Sequence, residues 1–391
     1  MENDKGMTED NNWFQKNPKK TISVFVLAML LLMIFSAEKY LDLKNRNYLT
    51  NHEQNRILRY IRLREHPPLF DGIVKPDDAY MRETDSLLQI ERKFRTDKDG
   101  FIMPSSKHND PDVNIFFLGG STTECMEVDE QNRFPYLAGD LLEKKSGMKI
   151  NSFNSGVSGN NSLHSLNIFL NKIVPMNPDI VVMMHNINDL NILLVAKSYW
   201  NTIGSKSSIQ VIEEKGPEYY TLLKTLKNMF IPNIYKYIEY NFFTGKLHED
   251  EFIEFRGKTI AVDEAMIIRE YKKNLQTFID LCRVREITPV LMTMASRFSQ
   301  GSDKPVDSYF DRIEKDYRVA RDDYKKIFDM FNQTIIEMGR LNNVLVIDLA
   351  KEIPQTKEYM YDIVHFNDKG SRLASEIISN SLMTFIHKAG N

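Results

Sequence analysis

The sequence predicts an α/β fold on a parallel sheet, and two observations carry that expectation. From about residue 111, short apolar runs alternate with segments of helical period, the pattern of strands joined by crossover helices. The runs at 113–118, 149–153, 180–185, 289–294 and 344–348 are too apolar for strands with one wet face, so helices are expected on both sides of the sheet. Tyr324, Ile327, Phe331, Ile335 and Met338 recur at helical spacing before the fifth run, and residues 367–387 repeat that spacing at the C-terminus. Their Met and Phe stripes read most simply as core.

Bulk composition narrows the function classes. At 391 residues, 42% hydrophobic and 27% charged, with 17 Gly and 14 Pro, the chain is long enough for one enlarged globular domain with appendages. A net charge of -3 supplies no basic field for phosphate backbones, so no nucleic acid partner is expected. Cys125 and Cys282 are too few for a disulfide framework and lack redox or zinc spacing. The eight histidines, at 52, 66, 108, 164, 185, 248, 365 and 387, show no metal-binding spacing. No cofactor is expected, and His164 and His185 read as structural.

The N-terminus has a different character. A polar tail, 1–20, ends in Lys16, Lys19 and Lys20, and residues 22–37 are apolar apart from Ser23 and Ser36. A spanning helix needs roughly 20 residues, which makes 21–41 a transmembrane anchor and the lipid bilayer a partner. A cleaved signal peptide competes, but cleavage after Ala37 would put Phe35 where a small residue belongs. A buried core helix would show a polar face, and none interrupts the run. Lys39, Lys44 and Arg46 nearly balance the lysines before the helix; the expected arrangement is a short tail inside and a long exported domain. Residues 42–110 are expected to form a juxtamembrane stalk and lead-in. Arg56, Arg59, Arg62 and Arg64 lie among Ile57, Leu58, Ile61 and Leu63, either a basic amphipathic helix on headgroups or a solvated stalk helix. Pro67 and Pro68 end it. The domain proper is 111–391. Residues 197–265, with no clean strand signal and with Tyr219, Tyr220, Tyr235, Tyr237 and Tyr240, are expected to be an insertion whose tyrosines form a satellite core or stack on sugars.

Ligands of open parallel sheets bind beyond the carboxyl ends of the strands. After the first strand comes Gly119-Gly120-Ser121-Thr122, a tight turn that delivers a hydroxyl; alone it would more often be a cap or phosphate cradle. After the second comes Asn154-Ser155-Gly156-Val157-Ser158-Gly159, whose glycines can present backbone N–H groups or simply turn the chain. After the third comes His185-Asn186-Ile187-Asn188-Asp189, amide donors beside a carboxylate that would ordinarily cap a helix. Asp362-Ile363-Val364-His365 spaces a carboxylate so that it can hold one imidazole nitrogen while the other faces the crevice.

Taken in order, these segments resemble the four blocks of the SGNH, or GDSL-like, hydrolase superfamily. The similarity begins at the lead-in Phe94-Arg95-Thr96-Asp97-Lys98-Asp99-Gly100-Phe101 and runs to about residue 387. Gly120 stands where the family name expects Asp, and Asn186 where the asparagine block usually has Gly; among non-glycine residues Asn best tolerates left-handed geometry. Thr123 breaks any G-x-S-x-G elbow. The resemblance implies a three-layer α/β/α flavodoxin-like sandwich with a five-stranded parallel sheet. It further implies a Ser121 nucleophile, a His365 base oriented by Asp362, and an oxyanion hole from Ser121, Gly159 and Asn188.

The expected activity is removal of O-acyl groups, acetyl first, from a cell-envelope carbohydrate or another small ester. Two alternatives stand beside it: an O-acyltransferase that passes the acyl group to a glycan, and a silent membrane-anchored glycan-binding or assembly protein.

Overall fold

The computed structural model describes residues 12–48, 55–201, 206–215, 226, 229–230, 233–234, 252, 255–298 and 303–389. The five tyrosines singled out at 219–240 lie outside them. Two compact units are distinguished, residues 1–59 with 211–246, and residues 60–210 with 247–391.

The larger unit holds the sheet. Its strands are β1 (Val113–Gly119), β2 (Ile150–Asn154), β3 (Ile180–Met184), β4 (Thr288–Met292) and β5 (Leu345–Ile347). All pair in parallel, in the order β2-β1-β3-β4-β5. The five apolar runs become these five strands. Phe116, Phe117, Val181, Val182, Val290 and Leu291 are fully buried, because both faces are covered, as their composition requires. On one side α1 (Phe134–Ser146) packs against α7 (Asp368–Ala389). On the other, α2 (Ser162–Ile168), α3 (Ile187–Ala196), α4 (Glu264–Val284) and α6 (Arg321–Asn342) pack on one another. A further helix, α5 (Lys304–Tyr317), precedes α6 and is capped by Asp303. The three-layer α/β/α sandwich is therefore the observed fold.

Register matters for the site. Gly119 pairs with Met184, Met184 with Met292, and Met292 with Ile347, so the carboxyl ends of four strands finish level. Four loops then open into the same space. Gly119 is needed there: a Cβ would come within 2.0 Å of the Thr123 hydroxyl and 3.0 Å of the Met184 carbonyl.

Two local expectations fail upstream and within the insertion. Residues 55–61, read as part of a basic helix, form a strand (Asn55–Ile61) paired with Ile209–Lys215, where no strand was expected. Ile209, Val211 and Ile212 are β-branched, as are Ile57 and Ile61, and pairing satisfies the backbone of both segments where a lone helix would bury no apolar face. The lead-in itself is extended. Asp71–Val74 and Arg92–Arg95 pair antiparallel, and Asp97 accepts from the N–H groups of Asp99 and Phe101 at 2.9 Å each, turning the chain at Gly100 (φ +78°). The Ile102 N–H then bonds the Asn154 carbonyl at 3.1 Å, on the edge strand.

In the other unit, Pro18–Tyr48 is one helix, of which Pro18–Leu41 is long and apolar enough to cross a membrane, with none of that stretch buried. At 1.5 Å per residue its 24 residues extend about 36 Å, more than a bilayer's hydrocarbon core.

Beyond β4 the backbone is held by Asn332 of α6. Its carboxamide accepts from the Met294 N–H at 3.0 Å and from Asn186 Nδ2 at 3.0 Å, and donates to the Met294 carbonyl at 2.9 Å. Replacing Asn332 with Leu should lower the unfolding free energy by about 2–4 kcal/mol, since buried partners are left unsatisfied. Urea unfolding followed by circular dichroism measures it, and a loss below about 0.5 kcal/mol would contradict this role.

Candidate active site

Ser121 opens a four-residue helix, Ser121–Glu124, directly after β1 and Gly120. Its hydroxyl lies 2.7 Å from His365 Nε2, and His365 Nδ1 lies 2.6 Å from Asp362 Oδ2. The other Asp362 oxygen accepts from the N–H of Val364 at 3.0 Å and of His365 at 2.8 Å. This one carboxylate thus shapes the loop as well as orienting the ring. The Tyr361 ring stacks on the imidazole, with centroids 5.6 Å apart and planes 9° off parallel. Three residues nominated from distant parts of the chain are therefore in one hydrogen-bonded line.

Charge in that line follows from its surroundings. Burial disfavours the imidazolium, but Asp362 outweighs it, with Glu124 and Glu127 adding in the same sense, and the pKa of His365 is raised from its ordinary value. Burial likewise disfavours the Asp362 carboxylate, yet His365 and the two backbone donors hold its pKa down. The aspartate is ionised and the ring accepts a proton readily.

The asparagine block is placed on the same edge. Asn188 Nδ2 donates to the Asn160 carbonyl at 2.9 Å and sits against Gly120, where a Cβ would approach it to 2.6 Å. The glycine found in place of the family's Asp is thus matched to a close contact with Asn188. Gly159 occupies the adjoining turn with φ +76°, and the Lys206 side chain lies over it; it does not line the cavity at Ser121. Gly156 brings the same loop against the backbone of Thr123 and Glu124, with 2.3 Å to the nearest atom for an added Cβ. Asp189 caps the neighbouring helix rather than its own: its carboxylate accepts from the Ser162 N–H at 3.0 Å and the Tyr199 hydroxyl at 2.6 Å. Burial pushes its pKa up to about 6 against those donors.

Asn186 needs no left-handed backbone. Its φ is −162° and its carboxamide donates to the Phe328 carbonyl and to Asn332. A glycine there would lose the tie to α6. His185 and His164 are structural: His185 Nε2 meets the Ser165 hydroxyl at 2.7 Å, and His164 forms a capping box with Asn161. Burial pushes both down to about 3, so both are neutral. Among the described residues no three His, Cys, Asp or Glu side chains assemble as a metal-ligand set.

Some supporting residues escaped the sequence reading. Arg297, just after β4, is 2% exposed and forks onto Asp85 at 2.8 and 2.7 Å, with Asp303 beside it. It also donates to the Met360 carbonyl at 3.2 Å, and its own N–H bonds the Ile363 carbonyl at 2.9 Å. Glu124 is buried against His66 at 2.9 Å and receives the Ser158 hydroxyl. Only Glu124's place three residues after Ser121, on the helix that Ser121 opens, hinted at either role.

A cavity of about 400 Å³ fronts Ser121 and His365, walled by Tyr80, Ile187, Asn188, Tyr309 and Arg312 among others. A hydroxyl, an imidazole and a carboxylate thus stand in hydrogen-bonded series at the carboxyl edge of a parallel sheet, an arrangement in which the ring can take the hydroxyl proton. The model of the GDSL-like lipase/acylhydrolase family matches residues 117–373. The chain belongs to that family, and it is an ester-bond hydrolase. No curated protein matches the sequence. Solved structures similar to it include a GDSL-like lipase from Parabacteroides merdae (14% identity, 70% of this chain and 97% of that one, TM-score 0.42). Others are a lipase/acylhydrolase from Enterococcus faecalis (16%, 70% and 96%, 0.38) and an acetylxylan esterase from Geobacillus stearothermophilus (14%, 72% and 95%, 0.37).

The raised His365 pKa is open to direct measurement. The ring should titrate above 6.5, the ordinary histidine value, and Asp362→Asn should move its midpoint down, because the carboxylate that favours the imidazolium is gone. Ring-proton NMR against pH reads both. A midpoint unmoved by Asp362→Asn would contradict the electrostatic account.

Proposed function

We propose that the protein removes short O-acyl groups, acetyl foremost, from a cell-envelope carbohydrate by way of an acyl-Ser121 intermediate. The observation that carries this reading is the 2.7 Å contact between Ser121 Oγ and His365 Nε2, with Asp362 behind it. His365 takes the hydroxyl proton as Ser121 Oγ bonds the acyl carbon, and Asp362 stabilises the resulting imidazolium. The tetrahedral oxyanion is met by the Ser121 N–H, a first-turn donor with no partner in its own helix, and by the Asn188 amide. Collapse releases the sugar hydroxyl, which takes the proton from His365. Water, deprotonated by the same ring, then frees the acid and restores Ser121.

Polar residues on the cavity wall, Asn188, Asn191, Ser308 and Arg312, suit a short acyl group on a polar alcohol better than a long hydrocarbon chain. The apolar Pro18–Leu41 helix supports a membrane anchor, with the hydrolase unit on the extracytoplasmic side, where envelope glycans lie.

With p-nitrophenyl acetate as substrate, Asn188→Ala should lower turnover roughly a hundred- to a thousand-fold with unfolding little changed. Ser121→Ala should abolish both turnover and labelling by a fluorophosphonate. Label on the Ser121→Ala protein would remove Ser121 from the mechanism, and near-wild-type turnover by Asn188→Ala would remove Asn188.

A further inference from the structure

A second cavity, of about 330 Å³, adjoins the one at Ser121. Asn188, Asn191, Tyr309 and Arg312 line both, so a molecule seated at Ser121 and extending past Asn188 and Arg312 enters it. Each volume falls within the roughly 300–1,000 Å³ of small-molecule sites.

The charge of the second cavity differs from that of the chain. Among the described residues, Lys206, Arg256 and Arg312 face it with one carboxylate, Asp316, whereas the chain as a whole is acidic, at -3. Asp316 lies 3.7 Å from Arg256 Nε, and Glu83, on the first cavity, lies 3.4 Å from Arg312 Nη1. Both guanidinium groups are about half exposed, at 50% and 48%. Ion pairs this long and this wet hold weakly. An incoming anion can take over a guanidinium from them with shorter, forked hydrogen bonds. Phe252 and Tyr317, both 9% exposed, back the same space with apolar surface, which strengthens such bonds relative to open water.

We propose that this second cavity binds an anionic substituent, a carboxylate or a phosphate, on the same saccharide that carries the acyl group, and so selects esters of acidic glycans. The assignment rests on Ser121 as the acyl acceptor, since that fixes which end of the saccharide points inward. No bond is made or broken in the second cavity; its cations position the substrate.

The test reads binding rather than turnover, with the full-length Ser121→Ala protein in detergent. Methyl glucuronide, its carboxamide counterpart and methyl glucose 6-phosphate are titrated by ligand-observed NMR at low and high salt. At low salt the carboxylate or the phosphate should bind about five- to tenfold more tightly than the carboxamide. Adding Lys206→Gln and Arg256→Gln should erase that ratio while leaving carboxamide binding and thermal unfolding as they were. High salt should compress it as well. The two anionic arms distinguish a uronate from a phosphorylated sugar. Equal binding of charged and neutral sugars, or a preference that survives the double substitution, would overturn the proposal. Because no turnover is needed, such a failure leaves the Ser121 assignment standing, and loss of that assignment would appear in the fluorophosphonate experiment instead.

Discussion

Two side chains 244 residues apart in the chain stay within 2.7 Å of each other because buried hydrogen bonds fasten the loops that carry them. A loop beyond a strand end has no ladder to satisfy its backbone, so fixed geometry there must come from side chains. Asp362 meets this requirement twice over, shaping its own turn and gripping the ring. Arg297 supplies the outer support, donating to the Met360 and Ile363 carbonyls on one side and to two carboxylates on the other. Without such ties the imidazole would sample many rotamers, and the reacting geometry would be a minor state.

The remaining edge is organised by consecutive residues acting on neighbouring loops. Asn188 and Asp189 follow β3, yet their side chains bond the Asn160 carbonyl and the Ser162 N–H, both beyond β2. Asn186, two residues earlier, reaches the opposite way, to α6. This three-way stitching fixes the distance from the Asn188 amide to the Ser121 helix, and Gly120 and Gly156 permit the backbones to approach that closely. Preorganisation of this kind is what lets a donor stabilise developing charge without moving to meet it.

The strands were legible because burial on both faces writes an uninterrupted apolar run into the sequence, and all five runs became strands. That Ser121, Asn188, Asp362 and His365 would meet at one edge of the sheet was legible because each lies a fixed step beyond a strand or in a short local motif. What local pattern cannot show is a partner supplied by distant sequence. The Asn55–Ile61 segment alternates ambiguously and is decided by Ile209–Lys215. Asp189 carries the chemistry of a cap, but nothing nearby says which helix it caps. Arg297 and Asn332 look like ordinary polar residues on the way into or along a helix, and only the assembled fold makes them indispensable.

The fork between Arg297 and Asp85 also bears on where the hydrolase unit begins. Asp85 lies 32 residues upstream of the first position matched by the family model, at 117. His66, paired with Glu124, lies further upstream still. A fragment trimmed to the family boundary would bare a guanidinium and a carboxylate that are otherwise enclosed, each costly to strand inside a protein. The larger unit therefore takes in residues from about 60 onward, and the stretch between the apolar helix and the sheet is tied into it by these buried pairs.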